Sequence, residues 1–343
     1  MNFKASIIIP VYNEVNFLET LCFKLKESFQ NIKVKYIFID DGSSDGSCDW
    51  LTKNLHNYFN KKELNLISLK KNYGKGYAIR EGIKKLEGTY AIFIDSDMEY
   101  DPKDIFEMYE VVLKNKNINV LYGSRNLGTK IQLRKYFLNS IAVKFNTFVF
   151  NFLFNQSLTD LHTGSKIVES SLLNNLDLNT DGFGIEIVMS SEISKKGVNI
   201  YEYAISYLER SVEQGKKITF VDGIKSYYFL FRERFIKNDI FTKISLLYSL
   251  LFMTYAGSHF GMGMGKILIV ILFIIIGLLI ALSRRIIPLS IVFGLIYIGS
   301  LFSKGNGKIY TVVIFFLLGL YLSKKTKKFF LVKKKNFIQK LLI

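Results

Sequence analysis

The chain begins with short apolar blocks set between helical repeats. Ala5 to Tyr12 (ASIIIPVY) is apolar without alternation, as in a strand buried on both faces of a parallel sheet. From Asn16 to Phe29 the apolar residues Phe17, Leu18, Leu21, Leu25 and Phe29 recur at helical spacing. A second strand, Lys35 to Ile39, runs into the polar turn Asp40-Asp41-Gly42-Ser43-Ser44-Asp45-Gly46, which opens another helix. Leu64 to Leu69 reads as a third strand and Tyr90 to Ile94 as a fourth. Between them, Tyr77 to Leu86 reads as a helix behind the turn Asn72-Tyr73-Gly74-Lys75-Gly76. Strand and helix alternate throughout, so the pattern predicts an α/β fold on a parallel sheet. Beyond about residue 244 the texture changes to long apolar stretches, such as ILIVILFIIIGLLIAL at 267–282.

In parallel α/β sheets ligands bind beyond the C-terminal ends of the strands. The polar clusters Tyr12-Asn13-Glu14, Asp40-Asp41, Lys75 and Asp95/Asp97 all fall there. Asp95-Ser96-Asp97 is the most informative of them. Two carboxylates at a strand end, with a third acid at Glu99, crowd negative oxygens into a small volume. They repel unless a cation sits between them, and hard oxygen donors suit Mg²⁺ or Mn²⁺. The same acids also fit a loop that caps the next helix, since Asp101-Pro102 reads as a helix start. Gly74-Lys75-Gly76 begins like a dinucleotide fingerprint, but Ile79 stands in place of its third glycine. No phosphate-binding G-x-x-x-x-G-K-[ST] loop exists.

Composition adds two facts. Hydrophobic residues make up 49% of the 343, too many for a purely soluble enzyme, and the excess gathers in the C-terminal third. Lys and Arg outnumber Asp and Glu by 46 to 29, a formal charge of +17 that suits an anionic membrane face or phosphorylated substrates. Nucleic acid is a weak alternative, because the basic residues concentrate at membrane flanks and at candidate phosphate sites. Cys22 and Cys48 form no metal or disulfide pattern, which points to a reducing compartment. The N-terminus reads without a signal peptide, its apolar run Ile7-Ile8-Ile9 being short and ended by Pro10 and Glu14.

Eight segments in order resemble the family 2 glycosyltransferases of GT-A fold, and more narrowly the polyprenyl-phosphate mannose and glucose synthases. They are IIIPVYNE (7–14), FIDDGSSDGS (38–47), NYGKGYAIREG (72–82), FIDSDMEYDP (93–102), YGSRN (122–126), DLHTGSK (160–166), DGFGIEI (181–187) and ERSVEQGKKITFVDG (209–223). The resemblance implies a Rossmann-like, mostly parallel sheet with helices on both faces, followed by an all-α transmembrane region. It also implies site roles. Pro10, Tyr12, Glu14, Asp40 and Asp41 would hold the base and ribose of a nucleotide sugar, with Lys75, Asp95 and Ser96 beside them. Asp95, Asp97 and Glu99 would hold Mg²⁺ or Mn²⁺ on its diphosphate. Many relatives carry Gln at the position of Glu99.

Arg125, Arg134, Lys135, Lys216 and Lys217 match phosphate-binding positions for the acceptor. Arg210 opens an Arg-x-x-x-x-Gly-Lys-Lys run that resembles the family's loop closing over the diphosphate, and an arginine fork suits phosphate oxygens. Lys75 reads equally as a solvated loop lysine, and Arg134 and Lys135 equally as surface charges. Glu186, and less so Asp181, stands where hydroxyl-directed relatives keep a base. Here Glu186 would bind a donor sugar hydroxyl or serve as a structural acid. Gly164-Ser165-Lys166 departs from the family's Gly-Phe-Arg at the donor sugar pocket.

The implied enzyme is an inverting, metal-dependent transferase that moves a hexose from GDP-mannose or UDP-glucose to a polyprenyl phosphate. Two rivals stand: direct transfer to a polysaccharide or glycolipid, and a membrane scaffold with an inactive fold. The sequence leaves homo-oligomerisation open. The expected domains are a catalytic domain at 1–228, a basic juxtamembrane segment at 229–243, transmembrane helices at 244–323 and a basic tail at 324–343. Four spans, near 244–263, 266–283, 286–303 and 308–323, put most basic flanks on the catalytic side. An integral membrane protein with its catalytic domain and both termini in the cytoplasm follows. Residues 131–155, rich in Phe, fit either a core helix under the sheet or an interfacial helix beside the acceptor site.

Overall fold

The protein is described by a computed structural model that covers residues 3–237 apart from 116, 212 and 214–219. The expected transmembrane spans, the basic tail, residues 238–243 of the juxtamembrane segment, and Lys216 and Lys217 lie outside the described residues. Residues Met1–Glu233 form one compact unit.

Its centre is a seven-stranded sheet in the order β3-β2-β1-β4-β7-β5-β8. The strands are β1 (Ala5–Val11), β2 (Val34–Asp40), β3 (Leu64–Ser68), β4 (Tyr90–Phe93), β5 (Val120–Ser124), β7 (Lys166–Glu169) and β8 (Tyr201–Ala204). β1, β2, β3 and β4 pair in parallel, as the unbroken apolar runs predict. The sheet is mostly parallel, as the resemblance implies; β7 runs antiparallel to both β4 and β5, a strand that the apolar pattern alone did not place. Only four residues long and charged at both ends, β7 carries little pattern in its sequence. A separate two-stranded ladder joins β6 (Gln132–Leu133) in parallel to β9 (Tyr207–Leu208).

Helices cover both faces. Alternate residues of β1 divide between them, Ile7 and Ile9 packing in a cluster with Leu18, Leu21 and Leu25 of α1 (Val15–Phe29) and Met108 and Val112 of α4 (Pro102–Lys114). α2 (Ser47–Asn54) adds Leu51 to that side. On the other face, α3 (Lys75–Ile83) lies so close that a side chain at Gly82 would press on Ile8 and Ile39. Each of these isoleucines is fully buried, which stabilises the fold by about 1.5–3 kcal/mol per side chain. α4 starts as expected: the Asp101 side chain accepts from Lys103 N at 3.0 Å, and Pro102 takes the first helical position. α6 (Ser170–Leu173), α7 (Ile185–Lys195) and α8 (Phe220–Phe231) follow later in the chain.

α5 (Phe137–Phe154) fills the stretch that the sequence left between two readings. It is not a core helix. Phe137, Leu138, Ile141, Phe145, Phe148 and Phe152 are exposed, Leu138 by 77% and Phe148 by 64%. At 3.6 residues per turn these six fall within an arc of about 100°. Asn146, Thr147, Phe150 and Leu153 face the protein instead, where Asn151 exchanges two hydrogen bonds with the backbone of Leu158. Among the described residues, α5 alone is long and apolar enough to cross a membrane by length and composition.

Candidate active site

Strand register gathers the polar clusters at one edge. Val11 pairs with Asp40 and Ile8 with Phe93, so the ends of β1, β2 and β4 lie side by side. Ser96 Oγ donates to Pro10 O at 2.9 Å and so ties the Asp95-Ser96-Asp97 turn to the end of β1. From there the two aspartates part into separate charge clusters.

Asp95 faces Lys75. The Lys75 ammonium lies 2.7 Å from Asp95 Oδ1 and 2.7 Å from Glu186 Oε1, bridging two acids. Burial works against its charge, but Asp95 and Glu186 outweigh that and raise its pKa. The glycines around Lys75 explain how it is held. A side chain at Gly76 would strike the carbonyl of Thr180, and Tyr77 N donates to Asp181 O at 3.1 Å, so the start of α3 sits directly on the 180–182 loop. Gly164 leaves equally little room, since a Cβ there would overlap the Asp95 carboxylate. Pro10, Lys75, Asp95, Gly164, Lys166 and Glu186 line a small cavity at this point. Lys166, buried and hydrogen-bonded to Thr163 O, is pushed down to about 8 by desolvation, with Lys75 adding repulsion and Glu186 opposing.

Asp97 faces Arg210. The guanidinium spans Glu14 Oε2 at 2.8 Å, Glu14 Oε1 at 3.2 Å and Asp97 Oδ2 at 3.1 Å, with Nε 3.8 Å from Glu99 Oε1. The ring of Phe17 lies 5.2 Å from the guanidinium carbon. Glu99 is committed on both oxygens: Oε1 accepts from Arg210 N at 3.0 Å and Oε2 from Tyr207 OH at 2.8 Å. Burial, then the charges of Asp95 and Glu99, push the Asp97 carboxyl up to about 7, against the pull of Arg210. Negative charge is in excess here.

The expected trio of metal ligands is therefore not assembled. Asp95 is turned to Lys75, and among the described residues no three Asp, Glu, His or Cys side chains converge as a metal cage. Asp97, with Glu99 beside it, offers one or two carboxylates. That suits Mg²⁺ or Mn²⁺ of the kind whose shell is completed by substrate phosphates, and the raised Asp97 marks a place where added positive charge is favourable.

The other candidate residues divide. Asp40 is buried; its Oδ2 accepts from Ser43 N at 3.3 Å, while Oδ1 has no hydrogen-bond partner. Such an orphaned acceptor at a strand end matches an incoming N–H donor. Asp41 instead spends both oxygens on the loop ahead of α3, accepting from Tyr73 N and Gly74 N at 2.8 Å each. Burial raises its pKa and these bonds oppose the rise. Pro10 near the end of β1 and Tyr12 in the turn after it are half-buried.

Arg125 is turned away from the cleft: Nε and Nη2 hold the fully buried Asp160 at 2.6 and 2.7 Å, a closed pair. Arg134 donates to Arg125 O at 2.9 Å and Asn126 Oδ1 at 2.8 Å, and Lys135 is exposed. Asp160 was inside a recognised segment but carried no assigned role, because its partner lies 35 residues away. Glu209, next to Arg210 in the sequence, is buried too, and nothing in the motif beyond that adjacency marks it.

The acidic clusters lie beyond the C-terminal ends of the parallel strands, where α/β sheets bind their ligands. Residues 6–176 match Glycosyl transferase family 2, and the chain belongs to that family. The dolichyl-phosphate beta-glucosyltransferase of Saccharomyces cerevisiae is 26% identical over 242 residues, covering 64% of this chain and 71% of that protein. Its namesake in Dictyostelium discoideum is 26% identical over 253 residues, 68% of this chain and 75% of its own. Among solved structures, glucosyl-3-phosphoglycerate synthase from Mycobacterium tuberculosis in complex with phosphoglyceric acid has a TM-score of 0.51 at 16% identity. The match covers 67% of this chain and 79% of that one and bears on the fold alone. The same enzyme with Mn²⁺, UDP and glucosyl-3-phosphoglycerate has a TM-score of 0.50 at 15% identity, covering 67% of this chain and 79% of that one.

Proposed function

We propose that the protein transfers a hexose, with inversion, from a nucleotide sugar such as UDP-glucose or GDP-mannose to a polyprenyl phosphate at the cytoplasmic face of a membrane. The observation that carries this reading is the seat of Arg210 across Glu14, Asp97 and Glu99, at the joined ends of β1 and β4. Relatives named for dolichyl phosphate, and a structural neighbour solved with UDP and Mn²⁺, support the choice of substrates. The exposed Phe and Leu stripe of α5 supports contact with lipid beside the site. The 1–228 catalytic domain, the four expected spans and the basic tail belong to the same proposal.

Asp40 would take a base N–H on its orphaned oxygen, and Glu14 the ribose. Asp97 and Glu99 would hold Mg²⁺ or Mn²⁺, which would neutralise charge on the diphosphate. As the anomeric bond breaks, the leaving diphosphate gains negative charge, and Arg210 would turn from the acids to meet it. Glu186 and Asp95, fixed by Lys75, would accept from sugar hydroxyls and orient the ring. An acceptor phosphate with a second pKa near 6 is mostly dianionic at neutral pH, so no strong general base is needed. Attack from the face opposite the leaving group inverts the centre.

The test is a transfer assay with the full-length protein, each nucleotide sugar and purified undecaprenyl or dolichyl phosphate, read by mass spectrometry. A lipid-linked hexose with inverted configuration is expected. Product only on a glycan hydroxyl would assign the enzyme to the polysaccharide or glycolipid class instead.

A further inference from the structure

Glu209 and Arg210 continue the strand β9, and along an extended chain successive side chains leave on opposite sides. Arg210 reaches Glu14 and Asp97. Glu209 turns the other way, to the start of α5. Its Oε2 accepts from Lys135 N at 2.5 Å and Tyr136 N at 3.3 Å, the two amides just ahead of the helix, and its own N donates to Leu133 O at 3.0 Å. No side chain caps α5 at Tyr136, so this carboxylate, only 7% exposed, stands at the positive end of the helix. The first helical residues, Phe137 and Leu138, are among the most exposed apolar side chains of the described chain. The helix that carries the lipid-facing stripe and the cation at the diphosphate site are thus held by neighbouring residues. Glu99 completes the joint, accepting Leu208 N on its backbone oxygen and Arg210 N on its side chain, both at 3.0 Å.

We propose that Glu209 is a positioning residue for the transfer: by fixing the start of α5 it sets Arg210, so that seating α5 in lipid is transmitted to the donor diphosphate site. This rests on the reading that Arg210 meets the donor diphosphate. A purely structural Glu209 would stabilise α5 and nothing more, and the two roles separate by experiment.

Binding of UDP and GDP with Mn²⁺ is measured by calorimetry on the full-length protein, in detergent and again in bilayer discs containing phosphatidylglycerol. The proteins compared are wild type, Glu209→Ala, Glu209→Gln, Arg210→Ala and the Glu209→Ala/Arg210→Ala double variant. In Glu209→Ala, nucleotide binding should weaken about tenfold, the scale of losing a charged acceptor, whereas Glu209→Gln, which keeps an oxygen for both amides, should stay within about threefold. The double variant should bind no more weakly than Arg210→Ala alone, since the first loss acts through the second residue. Transfer into discs should tighten binding by wild type and Glu209→Gln but not by Glu209→Ala. Wild-type affinity in Glu209→Ala, or losses that add in the double variant, would overturn this proposal alone. A wild type that binds neither nucleotide would remove the reading beneath it and this proposal with it. Should Glu209→Ala fail to fold, Glu209→Asp keeps the charge on a shorter arm and carries the same comparison: unchanged affinity and an unchanged response to discs would overturn the proposal.

Discussion

Arg210 fills the role that a divalent ion is expected to share. Its guanidinium already balances Glu14 and Asp97, so a metal arriving without nucleotide must compete with a resident cation. Arg210→Gln should therefore bind Mn²⁺ alone more tightly than wild type, by roughly tenfold, even as transfer activity collapses. Calorimetric titration with Mn²⁺ checks this, and Arg134→Gln, which removes a charge that touches none of these acids, should leave the affinity unchanged. Arg125 makes the contrasting case. In the sequence it looks like a phosphate ligand, because the motif reveals the cation and conceals Asp160, which claims Nε and Nη2 of its guanidinium. Asp160→Asn would leave a buried arginine without its counter-charge and should cost about 3–5 kcal/mol in urea unfolding. Burial pushes the Asp160 carboxyl up, but Arg125 outweighs it and holds the pKa below the ordinary 3.8. The sign follows. This contribution is complete above pH 3.8 and is lost as pH falls through the lower folded value, so wild type should lose stability there more steeply than Asp160→Asn.

At the level of elements, periodicity predicted what packing obeyed. β1 to β4 and their helices follow unbroken apolar runs and 3.6-residue spacing, which any buried parallel strand or amphipathic helix must show. The direction of β7 was not legible, because direction is set by the path of the preceding chain and not by four residues of pattern. The environment of α5 was half legible. Its spacing showed two faces but not which one the protein covers, and the polar Thr147 and Asn151 take the inner side through hydrogen bonds to the 158–161 loop. If the outer stripe receives lipid, Phe145→Glu/Phe148→Glu should raise the KM for a long-chain polyprenyl phosphate while leaving the KM for the donor unchanged. The melting temperature should hardly move, since neither ring is buried. Steady-state kinetics with the two substrates varied in turn, alongside a thermal melt, provides the check.

For the whole molecule, eight ordered segments were enough to read the family and its edge of acids, because chemistry fixes residue types at strand ends. They did not reveal the partition of those acids into a lysine-held pair and an arginine-held group. That partition depends on side-chain direction, which spacing alone leaves open. The formal charge of +17 and the apolar C-terminal third belong to the proposed membrane attachment. Truncation after Lys237 should accordingly reduce transfer to a long-chain acceptor far more than transfer to a short, water-soluble analogue. Equal losses on both would show that the removed part serves the fold of the remainder, and parallel assays with the two acceptors decide it.

The joint at Glu209 also has a consequence for traffic. A greasy acceptor sliding in two dimensions along the aromatic ridge would arrive headgroup first, at the end where the ridge meets the reacting charges. The water-borne donor would approach from the open side of the sheet. Two reactants with no common solvent would then meet at a single seam, and the finished glycolipid would drift away sideways without its tail ever entering water.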